Sequence, residues 1–414
     1  MRIAIVGAGV SGLVAAHLLQ REHEIVVYEA NSYAGGHTNT IRVDTAYETH
    51  HVDTGFIVMN DRNYPLFTRL LDRLGVARQP TQMSFSVKGE EHDFEFSGTP
   101  RGLFCQPGNI ASPRFQRMIV DLLRFNRALR RLLDHEESGE SMRDFLSRHR
   151  FSRAFVERLI VPQMSAVWSA DPREAGSFPA RFIAEFFANH GMLGFRDRPC
   201  WSTISGGSAR YVEALTEPFR DRIRLGAPVG SITRGRDDVE VVAAGSGAER
   251  YDHVIVATHS DQALRMLGDA SARERELLGA ISYQPNEAVL HTDSSLLPRR
   301  RWARSAWNFH LLREPKPLST VTYYMNHLQR LSADRDFCVT LNRTEAIDPA
   351  KIIRTISYSH PMYTPRGVAA QSEHAAISNL SSRTHYAGAY WGWGFHEDGV
   401  RSALRACEPF GVGL

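Results

Sequence analysis

One glycine-rich turn constrains the fold more than any other feature of this sequence. It reads Gly-Ala-Gly-Val-Ser-Gly at residues 7–12. An apolar run at residues 2–6 precedes it and predicts a strand, and an apolar segment at residues 13–19 follows it and predicts a helix. A second apolar run, residues 25–28, ends at the acid Glu29. This order predicts a βαβ unit of the dinucleotide-binding type.

Each glycine of this turn has its own physical role. Gly7 permits a tight turn, Gly9 lets the backbone approach a pyrophosphate without a Cβ clash, and Gly12 lets the helix pack closely against the strand. The helix begins near Val10 and Ser11, where unpaired N–H groups and a partial positive charge would face the phosphates. We therefore expect this turn to hold the pyrophosphate of a dinucleotide.

The residues after the second strand indicate which dinucleotide is bound. Glu29, with Ala30 beside it, is predicted to accept hydrogen bonds from the adenosine ribose hydroxyls. Gly35 and Gly36 follow shortly afterwards. Only glycine lets the backbone turn back closely along a pyrophosphate and ribityl chain. The glycine pair therefore favours FAD over NAD.

Composition limits the classes of protein to which the chain can belong. With 414 residues, 43% of them hydrophobic, it is predicted to bury a large core and to contain two domains. The net charge of +3 is too small to indicate nucleic-acid binding. Four scattered cysteines without a CxxC pair predict neither a disulfide framework nor a metal site, and a reducing, cytoplasmic location fits. We expect no signal peptide, because the first strand begins at residue 2, and no membrane span, because no apolar stretch reaches about 18 residues.

The predicted fold class is α/β, with a Rossmann-like FAD-binding domain interleaved with an α+β substrate-binding domain. The FAD-binding domain is assigned to residues 1–85, 203–280 and 370–414, and the substrate-binding domain to residues 86–202 and 281–369. Apolar spacing predicts helices over residues 64–74, 112–137, 141–148, 151–167, 178–190 and 209–219. Residues 52–58 are predicted to form a strand with a central glycine.

A second glycine-rich segment lies near the C-terminal end of the sequence. Gly388, Gly392, Gly394 and Gly399 fall in one short window that leads into a predicted helix. A helix N-terminus aimed at the N1/O2 edge of a flavin would stabilise the anionic reduced flavin. We expect the backbone N–H groups of Gly399 and Val400 to make that contact.

Taken together, several motifs resemble the FAD-dependent amine oxidase, phytoene desaturase and protoporphyrinogen oxidase superfamily. They are Gly35-Gly36-His37-Thr38 and residues 53–58, 166–169, 283–288 and 394–399. The sequence most closely resembles a bacterial group of predicted FAD-binding oxidoreductases, and the flavoprotein domain fused to plant cyclopropane-fatty-acid synthases. The resemblance implies FAD as cofactor. No cysteine precedes Cys407 in the C-terminal motif, so we expect the flavin to be non-covalent.

The resemblance also implies contacts from scattered residues to FAD. The backbone of Val229 is expected to hold the adenine, and the strand that ends at residue 258 is expected to pass near the pyrophosphate. Many relatives have an acid where this chain has Tyr390, so Asp398, Glu397 or water is expected to take its place. The other cofactor candidates implied in this way are His37, Thr38, Gly55, Phe56, Ala257 and Thr258.

The predicted reaction is the oxidation or dehydrogenation of a hydrophobic, fatty-acyl or lipid-like substrate by hydride transfer to flavin N5. Trp391 and Trp393 lie inside the flavin segment and are candidates for the substrate slot. His37, His51 and His396 are the histidines nearest the cofactor segments and are candidates for proton transfer. Hydride abstraction from an activated allylic carbon would need no base.

Two predictions concern partners. The arginine-rich helix near residues 114–131 has the pattern of a basic amphipathic helix, which predicts either peripheral contact with an anionic membrane or a solvated face of the substrate domain. The resemblance to the fused plant proteins implies a fatty-acid-modifying methyltransferase as a functional partner.

Three other functions compete with the lipid oxidoreductase. A flavin amine oxidase is the first, although the chain has only three lysines to place beside the flavin N5. A flavin-free carrier of the GDP-dissociation-inhibitor type is the second, and the intact glycine segments argue against it. A nicotinamide dehydrogenase is the third, and it would leave Gly35 and Gly36 unexplained.

Overall fold

A parallel sheet of five strands carries the glycine-rich turn. In the computed structural model, which describes residues 1–91, 94–134, 139–194 and 198–414, its strands lie in the order Ile223–Arg224, Glu24–Tyr28, Arg2–Val6, His253–Val256 and Thr384–Tyr386. All neighbouring strands in this sheet are parallel. Their apolar runs are continuous because both faces of the sheet are covered.

The two faces of this parallel sheet pack against different layers. Ile3 and Ile5 point to one face, and Ala4 and Val6 point to the other. The first face is covered by the helices Val10–Leu19, Pro65–Arg73, Ala209–Thr216 and His396–Cys407. The second face is covered by an antiparallel sheet of Val229–Arg234, Val239–Ala243 and Gly247–Tyr251, with the helices Ser260–Met266 and Ala272–Leu278.

A second large sheet has seven strands. Their order is Ile352–Met362, Ser282–His291, Cys338–Leu341, Val321–Tyr324, Trp307–Leu311, Phe85–Gly89 and Glu95–Ser97. The helices Pro113–Leu133, Met142–Arg148, Val161–Trp168 and Ala180–Asn189 pack with it around a core rich in phenylalanine. A π-helical turn, Val156–Ile160, leads into the third of these helices.

Short elements join the two large sheets. Thr40–Asp44 pairs with Thr49–Asp53, and Met59–Asn60, Trp201–Ile204 and Arg78–Pro80 form a three-stranded sheet. The remaining α-helices are Pro100–Leu103, Pro107–Ala111, Arg153–Phe155, Met325–Leu328 and Pro365–Gln371.

The predicted α/β class with a Rossmann-like sheet is confirmed, and the parallel sheet is assembled from three separate stretches of the chain. The division into two domains at the proposed boundaries stays a prediction. The predicted strand over residues 52–58 is wrong after its first two residues, because the strand ends at Asp53. Beyond that point the backbone turns towards the segment that follows the glycine pair, and the Phe56 N–H donates to the His37 carbonyl at 2.8 Å.

Among the helices of the described ranges, none is both long and apolar enough to cross a membrane.

Candidate functional site

A single continuous cavity of about 1400 Å³ lies between the two large sheets. It opens at the carboxyl ends of the parallel strands, where open α/β sheets bind their ligands. We call the wall contributed by the parallel sheet and its loops the cofactor end, and the wall contributed by residues 80–201 and 307–361 the substrate end. The volume exceeds the roughly 300–1,000 Å³ of an ordinary ligand pocket, so the cavity has room for a cofactor and a second ligand.

Most of the predicted cofactor residues lie in the wall of this cavity. Those in the wall are Gly7, Gly9, Val10, Ser11, Glu29, Ala30, Gly35, Gly36, His37, Gly55, Phe56, Val229, Ala257, Thr258, Gly388 and Gly394. Those that lie outside the wall are Gly12, Thr38, Asp398, Gly399 and Val400. The contact of each residue with FAD stays a prediction.

The glycines of the first turn differ in what surrounds them. A Cβ on Gly7 would lie 2.7 Å from the Ala257 carbonyl oxygen, and a Cβ on Gly12 only 1.9 Å from the Gly7 carbonyl oxygen. These two glycines are therefore required by the packing of the protein itself. At Gly9, in contrast, no atom lies within 4 Å of such a Cβ, and this glycine faces the cavity. Space beside Gly9 is what a bound pyrophosphate needs, so the turn fits FAD.

Glu29 is held rigidly at the end of its strand. One carboxylate oxygen accepts the Ala8 N–H at 2.8 Å, and the other accepts the backbone and side-chain N–H groups of Asn31, also at 2.8 Å. These bonds tie the acid to the glycine turn and fix its orientation at the cavity wall. The lone pairs that remain on Oε2 can still accept from a ribose hydroxyl. The predicted role at the adenosine end is therefore compatible with the geometry.

The C-terminal helix presents different donors from those predicted. It begins at His396, and the Gly399 N–H already donates to the Phe395 carbonyl at 3.0 Å. Gly399 and Val400 lie beyond the first turn, where a backbone N–H bonds within the helix. The free N–H groups belong to the first turn, and His396 is its residue in the cavity wall. Gly399 is needed instead for packing, since a Cβ there would lie 2.6 Å from Val10.

Asp398 serves this helix rather than the cavity. Its Oδ2 accepts the N–H groups of Trp393 and Phe395, both at 3.1 Å, in a capping arrangement. Burial raises the pKa of Asp398 to about 6, against the opposing effect of these hydrogen bonds. Glu397 likewise accepts the backbone N–H groups of Leu66 and Phe67. Neither acid reaches the cavity wall, so the structure does not bring them to the position that the missing acid would fill.

The His396 side chain is bonded within the protein. Its Nε2 lies 3.0 Å from both the Thr38 and Tyr211 hydroxyl oxygens, and its ring stacks on Phe56 at 3.6 Å. Burial lowers the pKa of His396 to about 3. The imidazole is therefore neutral at physiological pH and is a poor candidate for proton transfer, whereas its backbone N–H remains available to a ligand. Thr38 lies outside the cavity wall, and its hydroxyl contacts the site only through its hydrogen bond with His396.

The other two predicted histidines have different surroundings. His37 lies in the wall with its ring stacked on Tyr358 at 4.8 Å. Burial, together with the neighbouring imidazoles of His360, His259 and His396, lowers the pKa of His37 well below its usual value. His51 lies on the strand Thr49–Asp53, outside the cavity wall. The structure therefore does not bring His51 to the site.

The two predicted tryptophans also separate. Trp393 lies in the wall, and its carbonyl accepts the indole N–H of Trp168 at 3.2 Å. Trp391 lies outside the wall, with its ring 4.8 Å from that of His374, and packs against the core beside the parallel sheet. Only Trp393 is therefore placed where it could contact a substrate.

The substrate end is largely aromatic and aliphatic, with a minority of polar side chains that includes Asn126, Gln163 and Arg198. Its apolar wall includes Phe85, Phe96, Leu122, Phe125, Leu159, Ile160, Val167, Trp168, Phe186, Phe187, Met192, Trp201, Trp307 and Tyr323. In the described part of the cavity wall the only carboxylate is Glu29, at the cofactor end, and no lysine is present. All three lysines bond elsewhere: Lys88 to backbone carbonyls, Lys316 to Glu345 and Lys351 to Asp293.

Sequence reasoning missed two histidines, His259 and His360, that lie where the two ends meet. His259 stacks on Tyr283 at 4.4 Å, and His360 lies 5.3 Å from the His37 ring. The cavity is lined by all four of these side chains, His37, His259, Tyr283 and His360. Residues 283–288 form a recognisable motif, but His360, which lies beside them in the site, is on another strand. Only strand pairing in the fold brings them together.

The fold and cavity define a flavin-binding protein of the α/β class. The sequence matches the family of flavin-containing amine oxidoreductases over residues 10–338, and the chain belongs to this family of FAD-dependent oxidoreductases. The predicted superfamily and the predicted cofactor, FAD, are thereby confirmed.

Curated relatives match only over parts of their length. A mitochondrial protoporphyrinogen oxidase of Nicotiana tabacum is 29% identical over 179 residues, which are 41% of this chain and 33% of the relative. An L-amino-acid oxidase of Mus musculus is 26% identical over 288 residues, 64% of this chain and 40% of the relative. The matches thus span less than half of these relatives.

Solved structures match along the whole chain. Cyclohexylamine oxidase from Brevibacterium oxydans superposes with a TM-score of 0.71 at 17% identity, covering 98% of both chains. A CLA-producing fatty acid isomerase from P. acnes superposes with a TM-score of 0.69 at 15% identity, covering 99% of this chain and 98% of the other. At such low identity these likenesses establish the fold alone.

Proposed function

We propose that this protein is a FAD-dependent oxidoreductase that oxidises or dehydrogenates a hydrophobic substrate of the fatty-acyl or lipid type. The observation that carries the proposal is the substrate end of the cavity, whose described wall is largely aromatic and aliphatic and has neither carboxylate nor lysine. Arg198 is the one permanently charged side chain in the described wall of this end, and it would favour an uncharged or acidic substrate over a cationic one. FAD, when bound, supplies the acceptor for a hydride. A fatty acid isomerase among the proteins that share the fold is in keeping with such a substrate.

The wall residues have a defined task in this proposal. Side chains such as Phe187 and Trp307 bury the hydrocarbon and exclude water from the reacting carbon. Polar side chains also line this end, and His190 is one of them. Its Nδ1 lies 2.9 Å from the Phe186 carbonyl, and burial lowers its pKa to about 4, so it adds no charge at neutral pH.

A flavin amine oxidase is the second candidate. Membership of the amine oxidoreductase family and the likeness to cyclohexylamine oxidase favour it. A protonated amine, however, would enter a cavity end without a carboxylate partner, and a buried charge without a partner is costly. A flavin-free carrier is the third candidate, and membership of the FAD-dependent family argues against it.

Anaerobic mixing tests these candidates directly. The FAD-loaded protein is mixed with a panel of unsaturated fatty acids, methyl esters and phospholipids, and separately with primary amines and amino acids, while the flavin absorbance band is followed. Bleaching by a lipid but by no amine supports the proposal. Bleaching by amines alone would establish the second candidate. Protein that stays colourless after incubation with FAD would favour the carrier.

We further propose that the protein contacts anionic membranes through the region around the helix Pro113–Leu133. Large apolar side chains are 41–59% exposed on this helix and shortly before it, namely Phe104, Ile110, Val120 and Leu123. Exposed Arg114, Arg117 and Arg127 lie on the same helix. Exposed apolar groups interleaved with arginine suit the interface of an anionic bilayer.

Co-sedimentation with vesicles tests this membrane contact. Vesicles of phosphatidylcholine with and without phosphatidylserine are compared for the wild type and for Val120→Asp with Leu123→Asp. Binding that needs phosphatidylserine and falls in the double variant supports the contact. Equal absence of binding to both vesicle types at low salt would overturn it.

A further inference from the structure

His360 lies where the cofactor end and the substrate end of the cavity meet. It stands near the end of the strand Ile352–Met362, opposite Gln284 on the neighbouring strand. Its ring is 5.3 Å from that of His37, which follows the glycine pair. Among the residues that the structure describes, none bonds the Nε2 of His360, and this partly buried side chain lines the cavity.

The other ring nitrogen of His360 is bonded to an asparagine. The Nδ2 group of Asn286 lies 2.9 Å from Nδ1 of His360 and also donates to the Gln284 carbonyl at 3.2 Å. The Oδ1 of Asn286 accepts from Asn342 at 2.7 Å. Rotating the Asn286 amide would place oxygen against a carbonyl and nitrogen against a donor, so its orientation is fixed.

The second asparagine is fixed in turn by the backbone. The Asn342 Oδ1 accepts the Glu287 N–H at 2.8 Å, and its Nδ2 donates to the Ser319 carbonyl at 2.8 Å. Backbone groups cannot exchange donor for acceptor, so the direction of the whole relay is set. Asn342 also has a left-handed backbone with φ of +55°, a conformation that asparagine adopts more readily than most residues other than glycine.

This relay selects one tautomer of the His360 ring. Because Asn286 donates to Nδ1, that nitrogen is the acceptor, and the proton of the neutral ring resides on Nε2. The ring is neutral at physiological pH, since burial lowers the pKa of His360 to about 4. His360 therefore directs an uncharged N–H group into the cavity.

We propose that the Nε2–H group of His360 donates a hydrogen bond to a carbonyl oxygen bound in the cavity, and that Asn286 and Asn342 are positioning residues that hold the ring in this tautomer. A neutral donor in a site that excludes water favours a neutral acceptor such as a carbonyl. Two bound molecules can supply this group: the isoalloxazine ring of FAD and the ester or acid group of an acyl substrate. Only the second source rests on the proposed function.

Ring-nitrogen NMR tests the tautomer independently of activity. Histidine labelled with ¹⁵N is compared between the FAD-loaded wild type and His360→Gln, which identifies the signals of His360. We expect the proton on Nε2. Asn286→Asp replaces the donor with an acceptor, so the proton is expected to move to Nδ1. Asn326→Asp is the matched control, and it should leave the ring unchanged. A proton on Nδ1 in the wild type would overturn the inference.

Ligand binding then identifies the source of the carbonyl. His360→Leu removes the donor, whereas the amide of His360→Gln retains one. If FAD supplies the carbonyl, the leucine variant binds FAD about 10-fold more weakly and its visible band shifts, and glutamine restores both. If the substrate supplies it, FAD affinity is unchanged. The preference of the FAD-loaded protein for methyl oleate over 1-octadecene then falls about 10-fold and returns with glutamine.

Failure of this inference and failure of the proposed function give different results. A leucine variant with unchanged FAD affinity, unchanged spectrum and unchanged preference for methyl oleate would overturn the donor role. A protein that responds to no lipid at all would contradict the proposed function, while the tautomer and the FAD measurements would still decide the role of His360.

Discussion

The two ends of the cavity are built by different means. At the cofactor end, main chain lies close to main chain at Gly7 and between Gly9 and Gly36. The substrate end is made of side chains from many separate helices and strands. The first kind of wall depends on glycine spacing within short segments. The second depends on which distant segments the fold brings together, so no short motif describes it.

This difference explains why a family can be recognised while its substrate cannot. Relatives and fold neighbours carry names as different as protoporphyrinogen oxidase, L-amino-acid oxidase and cyclohexylamine oxidase. A backbone cradle for FAD can be shared among them, because it makes few demands on the substrate. The reaction that each protein performs must then depend on the second wall and on the polar groups at the junction.

Two glycine substitutions test whether the cofactor end contains both structural and ligand-binding glycines. Gly12→Ala places a Cβ 1.9 Å from a backbone oxygen, so we expect a loss of at least about 3 kcal/mol in the free energy of unfolding. Gly9→Ala meets no protein atom within 4 Å, so stability should change by less than about 1 kcal/mol. Its FAD affinity should fall at least 10-fold, because the methyl group occupies the space for the pyrophosphate. Denaturant melts and FAD fluorescence titration measure the two effects.

The control for this pair is Gly108→Ala, on a short helix with no neighbour within 4 Å of the new Cβ. It should leave FAD affinity unchanged and raise stability by at most about 1 kcal/mol, because alanine favours a helix more than glycine does. If Gly9→Ala bound FAD as tightly as the wild type, the pyrophosphate could not lie beside this glycine. The distinction between the two kinds of glycine would then be wrong.

A single charge tests the apolar character of the substrate end. Gln163 lines the cavity on the helix Val161–Trp168, and Gln163→Glu adds a carboxylate of nearly the same shape. An apolar ligand would have to desolvate this charge, so we expect methyl oleate to bind about 10-fold more weakly. Cyclohexylammonium should bind more tightly, and FAD affinity should stay within twofold. Perturbation of the flavin spectrum reports all three.

Gln20→Glu, at the end of the first helix and far from the cavity wall, is the matched control for added charge. It should alter no ligand affinity. Undiminished binding of methyl oleate to Gln163→Glu would show that acyl chains do not lie against this helix. The proposed division of the cavity would then need revision.

Short sequence motifs predicted the cofactor end of the cavity well, but they predicted the C-terminal helix and the junction of the two ends poorly. Glycine spacing and apolar periodicity placed Gly9 and Glu29 in the wall. These signals did not predict where the C-terminal helix begins, because Asp398 caps the helix from within its first turn. The Gly399 N–H, which the sequence predicts to contact the flavin, donates instead to the Phe395 carbonyl. His360 could not be found, because its importance depends on hydrogen bonds across two strands that are far apart in the sequence.

Buried imidazoles at the junction of the two ends make stability depend on pH. His396 has a folded pKa of about 3, below its unfolded value of about 6.5, so its contribution is present above pH 6.5 and is lost as the pH falls towards 3. His37 and His360 have pKa values lowered by the same cause, burial. Asp398, with a raised pKa of about 6, acts in the opposite sense and favours the folded state as the pH falls.

The imidazoles should dominate this balance, because His190, His291, His374 and His385 also have folded pKa values of about 4. We therefore expect the melting temperature to fall between pH 7 and pH 5. His396→Gln removes one such group while its amide can still bond Thr38 or Tyr211. The free energy of unfolding of this variant should decline less steeply than that of the wild type. The two slopes should differ by about 1 kcal/mol per pH unit below pH 6.5. Thermal melts of both proteins from pH 7 to pH 5 measure the two slopes. Equal slopes would mean that the pKa of His396 is the same in the folded and unfolded states, which would contradict the lowering of this pKa by burial.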